Sequence, residues 1–277
     1  MVARELPDKG MTTLIVIVAD THINSTVGLC PPRVIKDDGD TRLASEGQRI
    51  LWRNWLDFWD NIPKADRTIG IFNGDIVEGD TKKRSTQVIS RNKATINRIA
   101  IDALEPALER LDACYFIRGT EAHTGKSGQL EELLAQDITT AVHDGENASW
   151  WYLERECEGV KIFACHHTSM GRLPWTFANA ANRNAAEAEY YYSKLGKPPP
   201  DVIFYAHNHL FANSGLGNYP SQVFHLPAWQ MGTSYTNKKP LSLSDIGGMT
   251  LLCDDGSYTW DLKRYKKNTS KMWKQTI

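Results

Sequence analysis

The segment "TLIVIVAD", residues 13–20, sets the fold class of this chain, and it runs on into "TH" at residues 21–22. A near-continuous run of leucine and β-branched residues is typical of a strand that is buried on both faces of a sheet. Open α/β sheets place their functional side chains at the carboxyl ends of such strands. Because Asp20 and His22 follow the run directly, the segment predicts a central strand and one corner of a site.

Helical and strand-like segments alternate after this first strand. Residues 43–62 have the periodicity of a helix, with Trp52, Trp55 and Trp59 on one core-facing stripe. Further patterns predict a strand at 67–75, a helical region at 85–111 that is broken or bent near Pro106, and a strand at 113–119.

The second half of the chain becomes richer in strands. Residues around Glu158 and Gly159 predict a hairpin turn, and residues beyond 220 end in a second hairpin over Asp255 and Gly256. This alternation predicts one α/β domain with two sheets and flanking helices. We expect the domain to span residues 11–267, between a flexible extension at 1–10 and a basic tail at 268–277.

Composition excludes several classes of protein. The 277 residues are 41% hydrophobic and 23% charged, and the net charge of −1 argues against a surface that binds polyanions everywhere. Five cysteines without CxxC spacing argue against a disulfide framework and a thiolate zinc site. The sequence has neither a secretory signal nor an apolar run of membrane-spanning length. We therefore expect a cytoplasmic protein with no membrane partner, whose oligomeric state the sequence leaves open.

Polar side chains with metal-binding chemistry follow five predicted strands. A lone histidine is usually structural, but six of the eight histidines lie at these strand ends, which indicates a shared site. The candidate residues at the five ends are Asp20 and His22; Asp75; Arg118, Glu121 and His123; His166; and His207 and His209.

Histidine with carboxylate and no thiolate suits manganese, iron or zinc better than calcium or magnesium alone. Two ions about 3.5–4 Å apart can generate a hydroxide and hold both oxygens of an in-line displacement at phosphorus. We expect two divalent ions, most suitably manganese, with iron, zinc, nickel or magnesium as alternatives. Six side chains are enough for two ions that share one carboxylate: Asp20, His22, Asp75, His166, His207 and His209.

The order D-x-H, G-D, G-x-x-x-H, H and H-x-H over residues 20–209 resembles the calcineurin-like metallophosphoesterase superfamily. The resemblance implies a four-layer α/β/β/α sandwich with two mixed sheets flanked by helices. It also implies hydrolysis of phosphate mono- or diesters by metal-bound hydroxide, without a phosphoenzyme. Carried over residue by residue, it makes Asp20, His22 and His209 ligands of the first metal, Asp75 the bridging ligand, and His166 and His207 ligands of the second.

The turn "IRGTEAHTG", residues 117–125, departs from the G-N-H pattern of that superfamily. Thr120 stands where the metal-binding asparagine is expected, and two residues separate it from the histidine. One hypothesis is that Glu121 supplies the oxygen for the second metal while His123 acts as the general acid. Alternatively His123 is itself the ligand, or Glu121 is a solvated turn residue beside a weak second site. Arg118 immediately precedes the turn, and we predict a catalytic role for it.

Arginine suits bidentate contacts with phosphate. We therefore predict that Arg84, Arg172 and Arg183 line a phosphate-facing rim, although each could also be a solvated surface charge. The function expected is a two-metal phosphoesterase acting on nucleotides or nucleic-acid ends. The alternatives are a nuclease of DNA-repair type and a catalytically reduced metal-binding interaction module, which the altered turn suggests.

Overall fold

The computed structural model describes residues 10–79, 87–168, 170, 176–215, 217–233 and 244–266. In chain order the elements are β1 (Thr13–Val18), β2 (Arg33–Ile35), β3 (Thr41–Leu43), α1 (Glu46–Asp60), β4 (Arg67–Asn73), α2 (Lys93–Leu108), β5 (Ala113–Ile117), α3 (Glu121–Thr124), a 3₁₀ turn (Lys126–Gly128), α4 (Gln129–Gln136), β6 (Leu153–Cys157), β7 (Val160–Ala164), α5 (Phe177–Lys194), β8 (Val202–Tyr205), β9 (Ala212–Asn213), β10 (Gln222–His225), β11 (Ile246–Asp254) and β12 (Ser257–Tyr265).

Two five-stranded mixed sheets form the centre of the fold. The first has the strand order β12-β11-β1-β4-β5, in which β1, β4 and β5 are parallel and β11 runs antiparallel to β1 and β12. The second has the order β6-β7-β8-β10-β9, with β7, β8 and β10 parallel. A small separate hairpin, β2-β3, lies between β1 and α1, where no strand was predicted.

The six residues of β1 are all buried, as the apolar run predicted. Alternate side chains of β1 point to opposite faces of the sheet. Ile15 and Ile17 face the second sheet and pack in one core with Phe204 and Phe224. On the other face of β1, a separate core contains Leu14, Val16 and Val18 together with residues of α1, α2 and α4.

A third cluster covers the outer face of the second sheet. Ala181 and Ala185 of α5 pack there against Ile203 of β8 and Val223 of β10. The layers are therefore helices, first sheet, second sheet and helix. This arrangement confirms the predicted α/β/β/α sandwich.

Local signals explain where the helices begin. Helix α1 starts three residues later than the predicted range because Ser45 caps it, accepting a hydrogen bond from the backbone N–H of Gln48. Trp55 and Trp59 of α1 are fully buried and Trp52 is partly buried, so the predicted stripe does face the core. Helix α2 begins after its cap Asn92, and Pro106 lies in its last turn. The helix is therefore shorter than the predicted helical region.

Both predicted hairpins are present. The turns at Glu158-Gly159 and Asp255-Gly256 have positive φ at both residues, the conformation that two-residue hairpin loops require. Among the described helices, none combines the length and the apolarity needed to cross a bilayer. The predicted extension, apart from Gly10, and the basic tail lie outside the described residues.

Candidate metal centre

The parallel pairing of β1 with β4 brings the first two site loops together. Backbone hydrogen bonds continue past the strand ends, from the N–H of Asp20 to the carbonyl of Gly74 and from the N–H of His22 to the carbonyl of Asp75, each at 3.0 Å. Parallel strands end at the same edge of a sheet. Asp20 and Asp75 therefore enter one pocket, where both are almost completely buried.

Asp20, His22 and His209 form the first of two adjoining groups that could hold a metal ion. Oδ1 of Asp20 lies 3.1 Å from Nε2 of His209 and 3.8 Å from Nε2 of His22. The two Nε2 atoms are 3.3 Å apart. A carboxylate oxygen and two imidazole nitrogens thus converge on one point.

Asp75, His166 and His207 form the second group. Nε2 of His166 lies 3.1 Å from Oδ2 of Asp75 and 3.9 Å from Oδ1 of Asp20, so the first and second groups share a boundary. His207 is the exposed member, and its ring centroid is 5.5 Å from that of His166. The structure therefore brings together the six side chains that were predicted as ligands outside the variant turn.

Hydrogen bonds on the far side of two imidazoles fix their orientation. Nδ1 of His166 donates to the backbone carbonyl of Asn73 at 2.7 Å, and Nδ1 of His22 lies 2.8 Å from a carboxylate oxygen of Glu78. In the neutral ring these bonds leave Nε2 with its lone pair facing the carboxylates. Metal-ligating histidines are usually held in this way.

The pocket strongly favours positive charge. Burial alone would lower the pKa of His22, but the nearby Asp20 carboxylate and the hydrogen bond to Glu78 raise it to about 10. Burial likewise opposes a charge on His166, yet the carboxylates of Asp75 and Asp20 raise its pKa to about 9. The carboxylates thus hold protons on two imidazoles whose Nε2 atoms face inward.

The donor set fits a divalent cation. Oδ1 of Asp20 and Nε2 of His166 are buried and have no hydrogen-bond partner. Buried polar atoms are normally hydrogen-bonded, and an unmatched carboxylate oxygen beside an unmatched imidazole nitrogen is what a metal ion would satisfy. A metal ion bound by both nitrogens would also explain the close approach of the Nε2 atoms of His22 and His209.

Backbone strain marks the same loops. Asp20, His22, Asp75, His207 and His209 all have positive φ, between 43° and 72°. Such angles are uncommon for residues with a Cβ and cost about 1–3 kcal/mol each, so they persist where the surrounding structure requires them. Five of the six predicted ligands from the D-x-H, G-D, H and H-x-H motifs adopt this conformation. The strain indicates that the required positions of these side chains, rather than backbone preference, determine the conformation of the loops.

Two glycines allow the side chains to approach so closely. A Cβ on Gly74 would lie 2.4 Å from the ring of His166, and Gly74 also has a φ of +77°. A Cβ on Gly119 would lie 2.2 Å from Oδ1 of Asp75. Neither position has room for a larger residue without displacing a predicted ligand.

The variant turn brings Thr120, rather than Glu121, to the centre. The backbone N–H of Thr120 donates to Oδ1 of Asp75 at 2.6 Å, and its hydroxyl lies 3.0 Å from both carboxylate oxygens. Glu121 is exposed at the start of α3 and belongs to none of the three metal-competent groups in the described residues.

His123 reaches the centre from the same turn. Its Nδ1 lies 2.8 and 2.9 Å from the two carboxylate oxygens of Glu78, and its ring meets the ring of His22 edge-on at 4.6 Å between centroids. Its side chain is 28% exposed. His123 is therefore held beside the first group with one edge open to solvent.

Glu78 is a central residue that the sequence reasoning missed. Burial would raise the pKa of its carboxyl, but hydrogen bonds to His123 and His22 lower it to about 2. With these two histidines it forms the third group that could hold a metal ion. Its position three residues after Asp75, in the same loop, was the available signal.

Glu131 of α4 was also missed. It is fully buried and accepts hydrogen bonds from the backbone N–H groups of Ile76 and Gly119, which belong to two different site loops. Nothing in the helical pattern of α4 distinguishes this glutamate from its exposed neighbours.

The contacts of Arg118 do not support its predicted catalytic role. Its guanidinium donates to Ser149 at 2.8 Å, to Glu132 at 3.1 Å and to Asn147 at 3.3 Å, and it lies over the ring of Trp151. The residue is only 7% exposed. Arg118 therefore joins the turn to α4 and to the segment that leads into β6.

The predicted arginine rim is only partly visible. Arg183 lies on α5, is half exposed and pairs with Glu187 at 3.6 Å. Arg84 and Arg172 lie outside the described residues. His167 is exposed, with its ring centroid 5.2 Å from that of His166 and 5.7 Å from that of His207.

The chain is similar to several solved structures at low sequence identity. Vacuolar Protein Sorting 29 of Cryptosporidium parvum is 11% identical, with 93% of this chain and 100% of that chain covered and a TM-score of 0.43. The zinc complex of Vps29 from Entamoeba histolytica is 12% identical, with 91% and 99% covered and a TM-score of 0.40. A predicted phosphoesterase of Streptococcus pneumoniae is 11% identical, with 91% and 90% covered and a TM-score of 0.39.

No family model matches the sequence, and no curated protein matches it either. At such low identities and TM-scores, the fold is established by the layers and strand order of this chain. The function has to be argued from its own side chains.

Proposed function

We propose that this protein is a two-metal phosphoesterase that hydrolyses phosphate mono- or diesters. The observation that carries the proposal is the convergence of six donors, all but His207 buried or partly buried, in two adjoining groups. Asp20, His22 and His209 would hold one ion, and Asp75, His166 and His207 the other. Two divalent ions at such a site can activate water and stabilise the charge of a phosphoryl group in transfer.

The chain's own residues divide the remaining tasks. Glu78 orients the rings of His22 and His123 through their Nδ1 atoms. Nε2 of His123 is then the ring atom that can donate a proton to the oxygen of the leaving group, which is the role proposed for it. Thr120 holds Asp75 through its N–H and hydroxyl, and its hydroxyl oxygen is the group of the turn that could contact the second ion.

We further propose manganese as the working metal and a nucleotide or a nucleic-acid end as the substrate. The donor set of four imidazoles with two carboxylates supports manganese, iron or zinc over magnesium. The substrate class is supported only by the arginines near the site loops.

A catalytically reduced metal-binding module is the second candidate. The observation that favours it is the hydroxyl of Thr120, a weak neutral ligand, at the position where an amide oxygen is expected. Retention of the six other donors favours catalysis.

Hydrolysis of p-nitrophenyl phosphate and bis-p-nitrophenyl phosphate with Mn²⁺ tests the proposal. We expect turnover of at least one ester, and a loss of roughly a hundredfold or more in Asp75→Asn. Asp261→Asn, on an exposed position of β12, is the matched control and should keep full activity. Turnover of the diester alone would favour a nuclease. Bound metal without turnover of either ester would favour the binding module.

A further inference from the structure

Two cysteines of this chain meet at the end of the sandwich that is remote from the metal centre. Cys157 ends β6 in the second sheet, and Cys253 lies in β11 of the first sheet, opposite Thr13 in the strand register. Thr13 begins β1, and Asp20 follows the other end of that strand. The extended strand separates the cysteines from the metal centre by roughly 20 Å.

Contacts between two hairpin turns hold the cysteines together. The N–H of Gly256 donates to the carbonyl of Glu158 at 2.7 Å, and the hydroxyl of Thr13 donates to the Glu158 carboxylate at 2.8 Å. A Cβ on Gly159 would lie only 3.1 Å from Cα of Gly256, so the turns are in close contact. Cys157 and Cys253 are the residues that lead into these turns.

The two thiols share one environment. Cys253 is completely buried in the core between the sheets, and the partly buried Cys157 packs against that core. Both lie at the same end of this core, and each cysteine is a free thiol in the structure. A disulfide here would join the first sheet to the second.

The pair is chemically asymmetric. Interaction with Cys253 lowers the pKa of Cys157 to about 7, whereas the same interaction raises the pKa of Cys253. Burial raises the pKa of the other three cysteines, Cys30, Cys114 and Cys165, and all five lie in the described residues. Oxidants react with thiolates, so Cys157 is the thiol expected to react first.

We propose that Cys157 and Cys253 are an oxidisable pair that peroxides convert to a disulfide linking the two sheets. The Cys157 thiolate attacks a peroxide oxygen, an S–O bond forms, the O–O bond breaks, and the departing hydroxide takes up a proton as water. The Cys253 sulfur then attacks the sulfenic sulfur of Cys157. An S–S bond forms, the S–O bond breaks, and the hydroxyl leaves with the Cys253 proton as a second water. Both sulfurs are oxidised by one electron each while hydrogen peroxide is reduced to two waters.

This link would stabilise the fold without reaching the metal centre. A disulfide between these residues closes a loop of roughly one hundred residues, and long loops gain the most from closure in the chain-entropy account. We expect a rise of about 5–10 °C in the unfolding midpoint of the oxidised protein, reversed by a dithiol reductant.

Peptide mapping of the full chain after hydrogen peroxide treatment tests the inference. Free thiols are alkylated, the protein is digested without reduction, and we expect a peptide joining Cys157 to Cys253 with the loss of two hydrogens. The midpoint shift should be absent in Cys157→Ser and in Cys253→Ser. Cys114→Ser removes another strand cysteine and is the matched control, which should keep both the link and the shift.

Oxidation of Cys157 to the sulfinic or sulfonic acid without the link would overturn the proposal. So would a link through a different cysteine, or faster alkylation of Cys165 than of Cys157 before oxidation. The mapping uses the unaltered chain, so poor folding of a serine variant leaves the test intact. Because it measures no esterase activity, its result is independent of the function proposed for the metal centre.

Discussion

His123 is held by Glu78 beside the ring of His22, and we propose that it protonates the leaving group. A general acid matters most when the leaving oxygen is strongly basic, and it contributes little to the departure of p-nitrophenolate. We expect His123→Ala to lose about 10²–10³-fold in kcat with an alkyl phosphate ester and less than about tenfold with the p-nitrophenyl ester. Steady-state rates across a series of leaving groups measure this difference.

The exposed residue His143 provides the control for that series. His143→Ala should leave both rates unchanged. Equal losses for every leaving group in His123→Ala would mean that the imidazole binds phosphate or metal instead of donating a proton.

Thr120 and Glu121 are the two candidates in the variant turn for the ligand of the second metal. The sequence suggested Glu121 as the ligand, whereas the structure places the Thr120 hydroxyl on Asp75 and leaves Glu121 exposed. We expect Thr120→Val to weaken binding of the second ion by about 10–100-fold and Glu121→Ala to bind two ions with unchanged affinity. Elemental analysis measures the number of bound ions in each variant, and calorimetric titration with Mn²⁺ measures their affinity. Loss of one ion in Glu121→Ala would restore the carboxylate as the ligand.

Helix α4 contributes a buried carboxyl group to the framework of the site. Burial and the charge of Asp75 raise the pKa of Glu131 to about 8, above the usual value of 4.5. A carboxyl group with a raised pKa in the folded state contributes stability that is fully present below about pH 4.5. That stability is lost as the pH rises through about 8, because the unfolded chain gives up its proton first.

Glu131→Gln should remove this pH dependence. At pH 5 the variant should be less stable by about 1–3 kcal/mol, since the amide cannot accept from both Ile76 and Gly119. The difference in the free energy of unfolding should shrink as the pH rises toward 8, because only the wild-type chain loses the Glu131 contribution. Urea unfolding at several pH values, with a chelator present, measures it. Parallel curves for the two proteins would contradict the assignment, and Glu146→Gln at an exposed position is the control.

For the molecule as a whole, the candidate metal centre draws residues from both sheets. Asp20 and Asp75 come from the first sheet, whereas His166, His207 and His209 follow strands of the second. An ion bound to the folded chain alone stabilises it by about 2.7 kcal/mol at a hundred times its Kd. We expect a chelator to lower the unfolding temperature and Mn²⁺ to restore it. An unfolding temperature that ignores Mn²⁺ while the metal is bound would contradict this, and Asp20→Asn should show a weakened response.

Much of this architecture could be predicted from local patterns. The apolar run of β1, the tryptophan stripe of α1 and the two hairpin turns are short-range features, and each folded as expected. The histidines and aspartates at strand ends could be identified because chain topology brings the ends of parallel strands to one edge. The hairpin β2-β3 was missed because its three-residue strands carry no clear alternation.

Arg118 and Glu131 show why the surroundings of the site escaped prediction. Both flank site loops, yet Arg118 turns toward Ser149 and Glu132, and Glu131 reaches in from a helix that looks amphipathic and ordinary. Side-chain direction and second partners depend on which distant segments pack nearby. No spacing along the chain encodes these contacts.

Sequence patterns therefore predicted an α/β domain with two sheets and the candidate donors, because burial periodicity and strand-end position are properties of short segments. The four-layer sandwich was predicted from the family resemblance. The fold alone decided that Glu78 orients His22 and His123. It also placed Thr120, in preference to Glu121, against Asp75. These outcomes depend on distances of about 3 Å between atoms from separate loops. Packing of the two sheets and the strained turns with positive φ set those distances, and neither is visible in one segment of sequence.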